Sequence, residues 1–271
     1  MSIDISQISQ AEFAQFQTLI YKIAGISLSD GKQVLLVGRL GRRLRHYGLS
    51  SYGAYYKLVS SGQNAEELQL MVDLLTTNET YFFREARHFD FLTQTILPQH
   101  PASRPFDIWS AASSTGEEPY TLAMILADTL GLKGSWTVTG SDISKTVLAV
   151  AERGQYWLDR TRGLPPEYLR KYCHRGTGED EGSFEIAQEL RRRTRFLQVN
   201  LNGTLPPLGK FHVIFLRNVM IYFDADTKRK VVERLVRQLH PGGYLLIGHS
   251  ESLSGITDCV KPVKPTIYQL S

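Results

Sequence analysis

The sequence predicts an α/β protein: a doubly wound, mostly parallel sheet with an antiparallel last strand, a small all-α unit before it and an inserted antiparallel β-subdomain. Three observations carry this expectation. Up to about Leu75 every strong apolar periodicity is helical, past about Phe89 short apolar runs alternate with amphipathic helices, and between Trp157 and Thr194 that alternation breaks down. The 271 residues exceed the usual size of one domain, so a large unit plus a smaller one is the natural division. It places an all-helical unit at 1–76, a connecting segment at 77–90 and the α/β unit at 91–271, with the insertion at about 160–194.

The first helix carries Phe13, Phe16, Ile20 and Ile23 on one stripe and stops at Gly25, since glycine tolerates the left-handed backbone of a helix end. A second, over 30–47, turns Leu36, Leu40, Leu44 and Tyr47 inward. Its other face is basic, with Arg39, Arg42, Arg43 and His46 at helix spacing. A third covers 52–59. A fourth begins at Asn64, which has capping-box spacing to Glu67, and buries Leu68, Met71, Val72 and Leu75.

In the α/β unit the expected strands are 106–112, 136–141, 196–201, 213–216, 244–248 and 266–270. Helices fill the gaps at 117–130, 144–153 and 226–240, the last buried through Val231, Val232, Leu235, Val236 and Leu239. Pro241-Gly242-Gly243 then makes a tight turn, and 262–270 returns as an antiparallel hairpin. Within the insertion, Pro165-Pro166, the glycines at 176 and 178, and the alternation around Phe184 and Ile186 predict a small hairpin outside the main sheet.

Composition narrows the function classes. A chain 42% hydrophobic and 21% charged is an ordinary globular protein, so disordered and low-complexity readings fall away. The two cysteines, Cys173 and Cys259, lie far apart without CxxC or Cys/His clustering, so neither a disulfide framework nor a metal site is expected. Residues 1–10 lack a basic flank before an apolar stretch, and no run nears the roughly 18 apolar residues of a membrane span, so a cytoplasmic location is expected. A net charge of +4 is too small for a general nucleic-acid binder but allows a local basic patch for an acidic partner.

The chemistry is expected where the first strand ends, because open parallel sheets bind ligands outside the carboxyl ends of their strands. The turn there reads Ser113-Ser-Thr-Gly-Glu-Glu-Pro-Tyr120 and has only Gly116 where a dinucleotide fingerprint needs further glycines. That favours a phosphate-free nucleoside, S-adenosylmethionine, over NAD. Glu117 and Glu118 also suit the helix N-terminal dipole, which leaves a structural role open for either. Asp142 closes the second strand where an acid accepts hydrogen bonds from ribose hydroxyls, although it could instead cap the next helix in competition with Ser144. Two polar clusters, one over 76–84 and one over 216–222, should border the same cleft.

These motifs together resemble the CheR family of chemoreceptor protein-glutamate O-methyltransferases. The resemblance rests on Thr77-Asn-Glu-Thr-Tyr-Phe-Phe-Arg-Glu85, Trp109-Ser-Ala-Ala-Ser-Ser-Thr-Gly-Glu-Glu-Pro-Tyr120, Ser141-Asp-Ile143 and Arg217-Asn-Val-Met-Ile-Tyr-Phe223, and it spans nearly the whole chain. It implies a class I methyltransferase-like sheet with S-adenosylmethionine as cofactor and S-adenosylhomocysteine as product. By the same resemblance Asn78, Thr80, Arg84, Glu118, Asp142, Asn200, Leu201, Arg217 and Asn218 line the cofactor pocket, with Arg84 and Tyr222 nearest the methyl-transfer centre. Glu118 is the least secure of these, because Glu117 stands beside it.

The partners implied are the cytoplasmic domains of chemotaxis receptors. Arg39, Arg42, Arg43 and His46 would meet their acidic helices, and the inserted subdomain, through Arg175–Gly178 and Phe184–Ile186, would offer an edge to a receptor's C-terminal tail. A non-catalytic adaptor keeping the same fold and an NAD-dependent oxidoreductase are the competing classes. Polar residues converging on one cleft oppose the first, and the missing glycines oppose the second.

Overall fold

A computed structural model describes residues 7–101 and 103–271. The start of the helical unit at residues 1–6, and with it most of the segment read for a targeting signal, lies outside the described residues. In chain order the helical unit comprises α1 (Gln10–Ala24), α2 (Gln33–His46), α3 (Tyr52–Ser60) and α4 (Ala65–Leu75). After the connecting segment come α5 (Arg87–Phe91), β1 (Phe106–Ser110), α6 (Glu117–Leu130), β2 (Trp136–Asp142) and α7 (Lys145–Arg153). The insertion contains β3 (Gln155–Trp157), α8 (Pro166–Tyr172), β4 (Cys173–Arg175), β5 (Ser183–Ile186) and α9 (Gln188–Arg191). The chain closes with β6 (Thr194–Gln198), β7 (Phe211–Leu216), α10 (Ala225–Val236), β8 (Leu239–Ile247), β9 (Lys261–Lys264) and β10 (Ile267–Gln269).

The helix ends follow from local chemistry. Ser9 and Glu12 form a reciprocal capping box at the start of α1, and Gly25 ends that helix in the left-handed region. At α4 only half of the expected box forms. Asn64 accepts from the Glu67 backbone N–H, but the Glu67 carboxylate turns inward, where it accepts from Arg43, Tyr47 and Tyr55.

Seven strands form the main sheet in the order β6-β2-β1-β7-β8-β10-β9. The first five are mutually parallel, and β10 enters antiparallel beside β8 and pairs in turn with β9, so the expected closing hairpin is two strands at the sheet edge. The central strand β7 feeds two cores. Ile214 and Leu216 of β7 face a core shared with α1 to α4 and α10, whereas Val213 and Phe215 face one built with α6 and the insertion. Burial on both faces explains why these strands read as continuous apolar runs. The helical unit is therefore joined to the sheet through one continuous apolar core.

Several boundaries differ from the sequence reading, two of them with consequences for the topology. Helix α10 ends at Val236, and Leu239 opens β8 opposite Phe211, with a register irregularity absorbing the Pro241–Gly243 segment. An apolar residue at that spacing satisfies either a helix or a strand, and pairing with β7 decides it. In the insertion, β3 at Gln155–Trp157 starts the small sheet ahead of the expected boundary, and the order β3-β5-β4 puts Phe184–Ile186 in its centre. Those residues are not the edge the sequence reading made them. The open edges belong to β3 and β4.

The basic face of α2 is also narrower than its spacing implies. Arg43 is bound to Glu67 through two hydrogen bonds of 2.9 and 2.6 Å, and Arg39 donates to the Thr76 carbonyl at 2.8 Å. Arg42 and His46 are exposed. Burial pushes the Glu67 carboxyl up, but its bonds to Arg43 and the tyrosines outweigh this and hold it below the usual carboxylate range. Replacing Glu67 by Ala would leave the Arg43 guanidinium and the buried Tyr55 hydroxyl without this partner, while the Tyr47 hydroxyl keeps Asn64. The expected loss is about 3–5 kcal/mol, measured by urea denaturation of the full chain; a loss under about 1 kcal/mol would mean the pair behaves as a surface contact.

Candidate active site

A cleft of about 430 Å³ opens at the carboxyl ends of β1, β2 and β7, within the range of small-molecule sites. Its wall includes all of Asn78, Thr80, Arg84, Glu118, Asp142, Asn200, Leu201, Arg217, Asn218 and Tyr222. Arg39, Arg42, Arg43 and His46 are not part of that wall. Asn200 and Leu201 sit in the loop after β6, which ends earlier than expected, at Gln198.

The turn after β1 resolves the ambiguity between the two glutamates. Gly116 adopts φ +97°, and a Cβ there would meet Ala151 and the Tyr156 hydroxyl at 2.8 and 2.9 Å, so only glycine lets the turn close on α7 and the insertion. Beyond it the side chains diverge. Glu117 is fully buried and pairs with Arg160 of the insertion, away from the cleft. Glu118 enters the cleft wall, where Oε1 accepts from Ser110 and Oε2 from Arg217, each at 2.7 Å.

Asp142 at the tip of β2 leaves helix capping to Ser144, whose hydroxyl accepts from Val147. Its own carboxylate accepts from the Ser114 and Ser144 backbone N–H groups at 2.9 and 3.0 Å. Burial raises its pKa against those bonds. Ser114 lies at φ +49° and donates its hydroxyl to the Asn78 carbonyl, which ties the connecting segment to the turn.

Arg217 is the electrostatic centre. With its side chain only 2% exposed, it bridges Glu118 on one side and Glu85, at 3.0 Å, on the other. Asn218, at φ +57°, donates its amide to the other oxygen of Glu85 at 3.1 Å. Glu85 was part of the motif read from the sequence, but no role was assigned to it. Burial works to raise its pKa, and Arg217 and Asn218 outweigh that to lower it. His88 and His249 bring further potential ligand atoms to Glu85, all within 4.8 Å of one another. A cation there would face the Arg217 guanidinium, so the cluster is best described as one ion-pair network.

Two groups on the wall are less engaged. Arg84 donates to the Glu79 carbonyl and lies over the Tyr81 ring, with no carboxylate partner among the described residues. The Tyr222 hydroxyl has no hydrogen-bond partner among the described residues, while the Tyr222 backbone is fixed at both ends, N–H to Val219 and carbonyl to Ser27. Phe82 is buried against Tyr156 and Phe184 of the insertion and anchors the connecting segment.

The helical unit supplies a wall that the sequence reading did not anticipate. Ile26, Ser27, Leu28 and Lys32 line the cleft, and Ile26 bridges to Phe223 as a short antiparallel pair. Asn200 reinforces this junction by donating to the Ile23 carbonyl at 2.7 Å. No local signal marks such pairings, because they join residues far apart in the chain.

The donor set fits a nucleoside with a charged amino-acid tail. Asp142 presents a carboxylate, an acceptor suited to hydroxyls, and Arg217 and Arg84 bring positive charge to the same wall. Residues 78–269 match the family described as CheR methyltransferase, SAM binding domain, and residues 11–76 match CheR methyltransferase, all-alpha domain. The chain is 43% identical to the chemotaxis protein methyltransferase of Salmonella typhimurium over 268 residues, covering 97% of this chain and 91% of that protein. It is 44% identical to the one of Escherichia coli, covering 97% and 92%. Chemotaxis protein methyltransferase 2 of Pseudomonas aeruginosa is 39% identical, covering 96% and 93%.

The network carries a pH signature. Burial and then Arg217 push His88 down from 6.5 to about 3, so folding keeps this imidazole neutral while the unfolded chain protonates it. Its contribution to stability is complete above pH 6.5 and is lost progressively as pH falls toward 3. His212, pushed down to about 4 by burial, acts in the same direction. Replacing His88 by Phe should make stability fall less steeply with acid over this range in urea titrations. An unchanged slope would mean that His88 is not held neutral.

Proposed function

The chain belongs to the CheR methyltransferase family, and from that premise we propose that it is a protein-glutamate O-methyltransferase acting on chemoreceptors. It would form γ-carboxyl methyl esters on their cytoplasmic helices and so serve adaptation in chemotaxis. The observation that carries the reading is the pair of under-engaged groups on the cleft wall, the Arg84 guanidinium and the Tyr222 hydroxyl.

S-adenosylmethionine supplies an electrophilic methyl group on its sulfonium. Asp142 would hold its ribose hydroxyls and Arg217 its carboxylate, with Asn78, Thr80, Glu118, Asn200, Leu201 and Asn218 completing the wall. A glutamate side chain, with an ordinary pKa of about 4.3, is ionised at neutral pH, so no general base is needed. The protein has to align and partly dehydrate that carboxylate, and near-attack alignment of this kind contributes about 7–11 kcal/mol. Arg84 suits the orienting role by a forked charge-assisted hydrogen bond, and the Tyr222 hydroxyl suits the positioning of donor or acceptor.

Receptor recognition would fall to the exposed Arg42 and His46, with Arg39 and Arg43 bracing α2 behind them. A receptor's C-terminal tail, where one is present, would add to β3, which exposes Trp157, or to β4, which carries Arg175. No described helix is long and apolar enough to cross a membrane, and the receptor reading places the protein in the cytoplasm, recruited to membrane receptor arrays.

Labelled methyl transfer to receptor cytoplasmic fragments, with base-labile release of methanol, tests the substrate. Arg84→Ala and Tyr222→Phe should each lower turnover by about 100-fold, with cofactor affinity less affected in Tyr222→Phe. Normal turnover in both would withdraw their catalytic roles, and cofactor binding without transfer would favour an adaptor. Arg42→Glu should raise KM for the receptor fragment and flatten its dependence on salt; an unchanged KM across salt concentrations would remove α2 from recognition.

A further inference from the structure

The segment after β8 contains a buried carboxylate to which nothing above assigns a role. Glu251 is 9% exposed and has no cationic partner among the described residues. Its Oε2 accepts from the backbone N–H of Gly248 at 2.7 Å and of Asn218 at 3.0 Å, and its Oε1 accepts from Met220 at 2.8 Å. Three N–H groups therefore converge on one anion, and two of them belong to the turn that carries Asn218 and Tyr222. We infer that Glu251 is a positioning residue of the methyl-transfer site, which clamps the 218–222 turn so that Asn218 and Tyr222 face the cleft.

The clamp acts on the backbone of this turn. Asn218 sits in the left-handed region at φ +57°, which asparagine adopts more readily than most residues, so what the turn requires is a partner for its inward-facing N–H groups. Glu251 fixes its backbone, and Glu85 fixes its side chain from the other side. The Met220 N–H bonded to Glu251 opens the single 3-10 turn Met220–Tyr222, so the clamp also sets where the Tyr222 ring begins. Gly248 completes the fit. A Cβ there would lie 2.7 Å from the Asn218 amide nitrogen, 2.9 Å from its backbone nitrogen and 2.9 Å from the Glu251 carboxylate. Burial raises the Glu251 pKa against the backbone bonds that lower it, as expected of an anion held by dipoles alone. Glu251 does not line the cleft, so any effect on chemistry passes through the turn.

This inference rests on the reading that Asn218 and Tyr222 serve the cofactor and the methyl transfer. The test uses the full chain with Glu251→Gln, whose amide sets a donor against one of the three N–H groups, and Gly248→Ala, whose Cβ wedges between Asn218 and the Glu251 carboxylate and so loosens the clamp while keeping the carboxyl group. Calorimetric titration with S-adenosylhomocysteine reports both the dissociation constant and the fraction of molecules that bind. Both variants should bind at wild-type stoichiometry with Kd raised at least about tenfold, and turnover per binding-competent molecule should fall by about 100-fold with KM for the receptor fragment little changed. A purely structural residue would instead lower the binding fraction and leave Kd and turnover of the remainder at wild-type values, which overturns the inference. If Glu251→Gln does not fold, Gly248→Ala decides by the same two readouts. Wild-type protein that binds the nucleoside yet methylates no receptor fragment would defeat the substrate reading, while Kd in the variants still decides the role of Glu251.

Discussion

A guanidinium removed from water has to be neutralised where it stands, and Arg217 meets that demand with two carboxylates from different parts of the chain. Glu118 comes from the helix after β1, and Glu85 comes from the segment that leaves the helical unit. The positive charge at the end of β7 thus pins together the first βα turn, the connecting segment and the Asn218 turn. Removing Arg217 would leave two carboxylates facing one another without a cation, so these pieces keep their relative places through that one side chain. The cleft is the space that this arrangement leaves open.

Around that centre the groups divide by how fully they are engaged. Glu118, Asp142, Asn218 and Asn200 are each held by protein hydrogen bonds, and such pre-organisation avoids reorganisation when a ligand arrives. Arg84 and Tyr222 retain free donor capacity on the same wall. The helical unit takes part directly through the Ile26–Phe223 bridge and the Ser27 bond to Tyr222. The helical unit and the cleft thus share a few backbone contacts and one continuous apolar core.

Much of the architecture was legible because it depends on short-range periodicity. The stripe from Phe13 to Ile20 and the stop at Gly25 mark α1, and the continuous run at Val213 to Leu216 marks a strand buried on both faces. Leu239 was not legible in this way, since its spacing continues the stripe of α10 and only pairing with Phe211 makes it a strand. The strand at Phe184 was read as an edge, and its central place depends on two partners, β3 and β4, that both precede it in sequence and flank it only in space. Arg39 and Arg43 showed the spacing of an exposed basic face, but spacing does not reveal that Thr76 and Glu67 await them.

From the sequence alone came the class of fold, the order of its elements, the family resemblance and the residues that border the cleft. The fold class and the order of elements follow from residue type and spacing, whereas the cleft residues were implied by the resemblance of four ordered motifs to one family. The tertiary structure alone decided between Glu117 and Glu118, turned Arg43 inward, brought residues 26–32 to the cleft wall and placed Glu251 beneath the Asn218 turn. Each of these depends on which distant group neutralises a buried charge or satisfies a buried N–H. Such pairing is a property of three-dimensional proximity, to which the local pattern of a chain carries no guide.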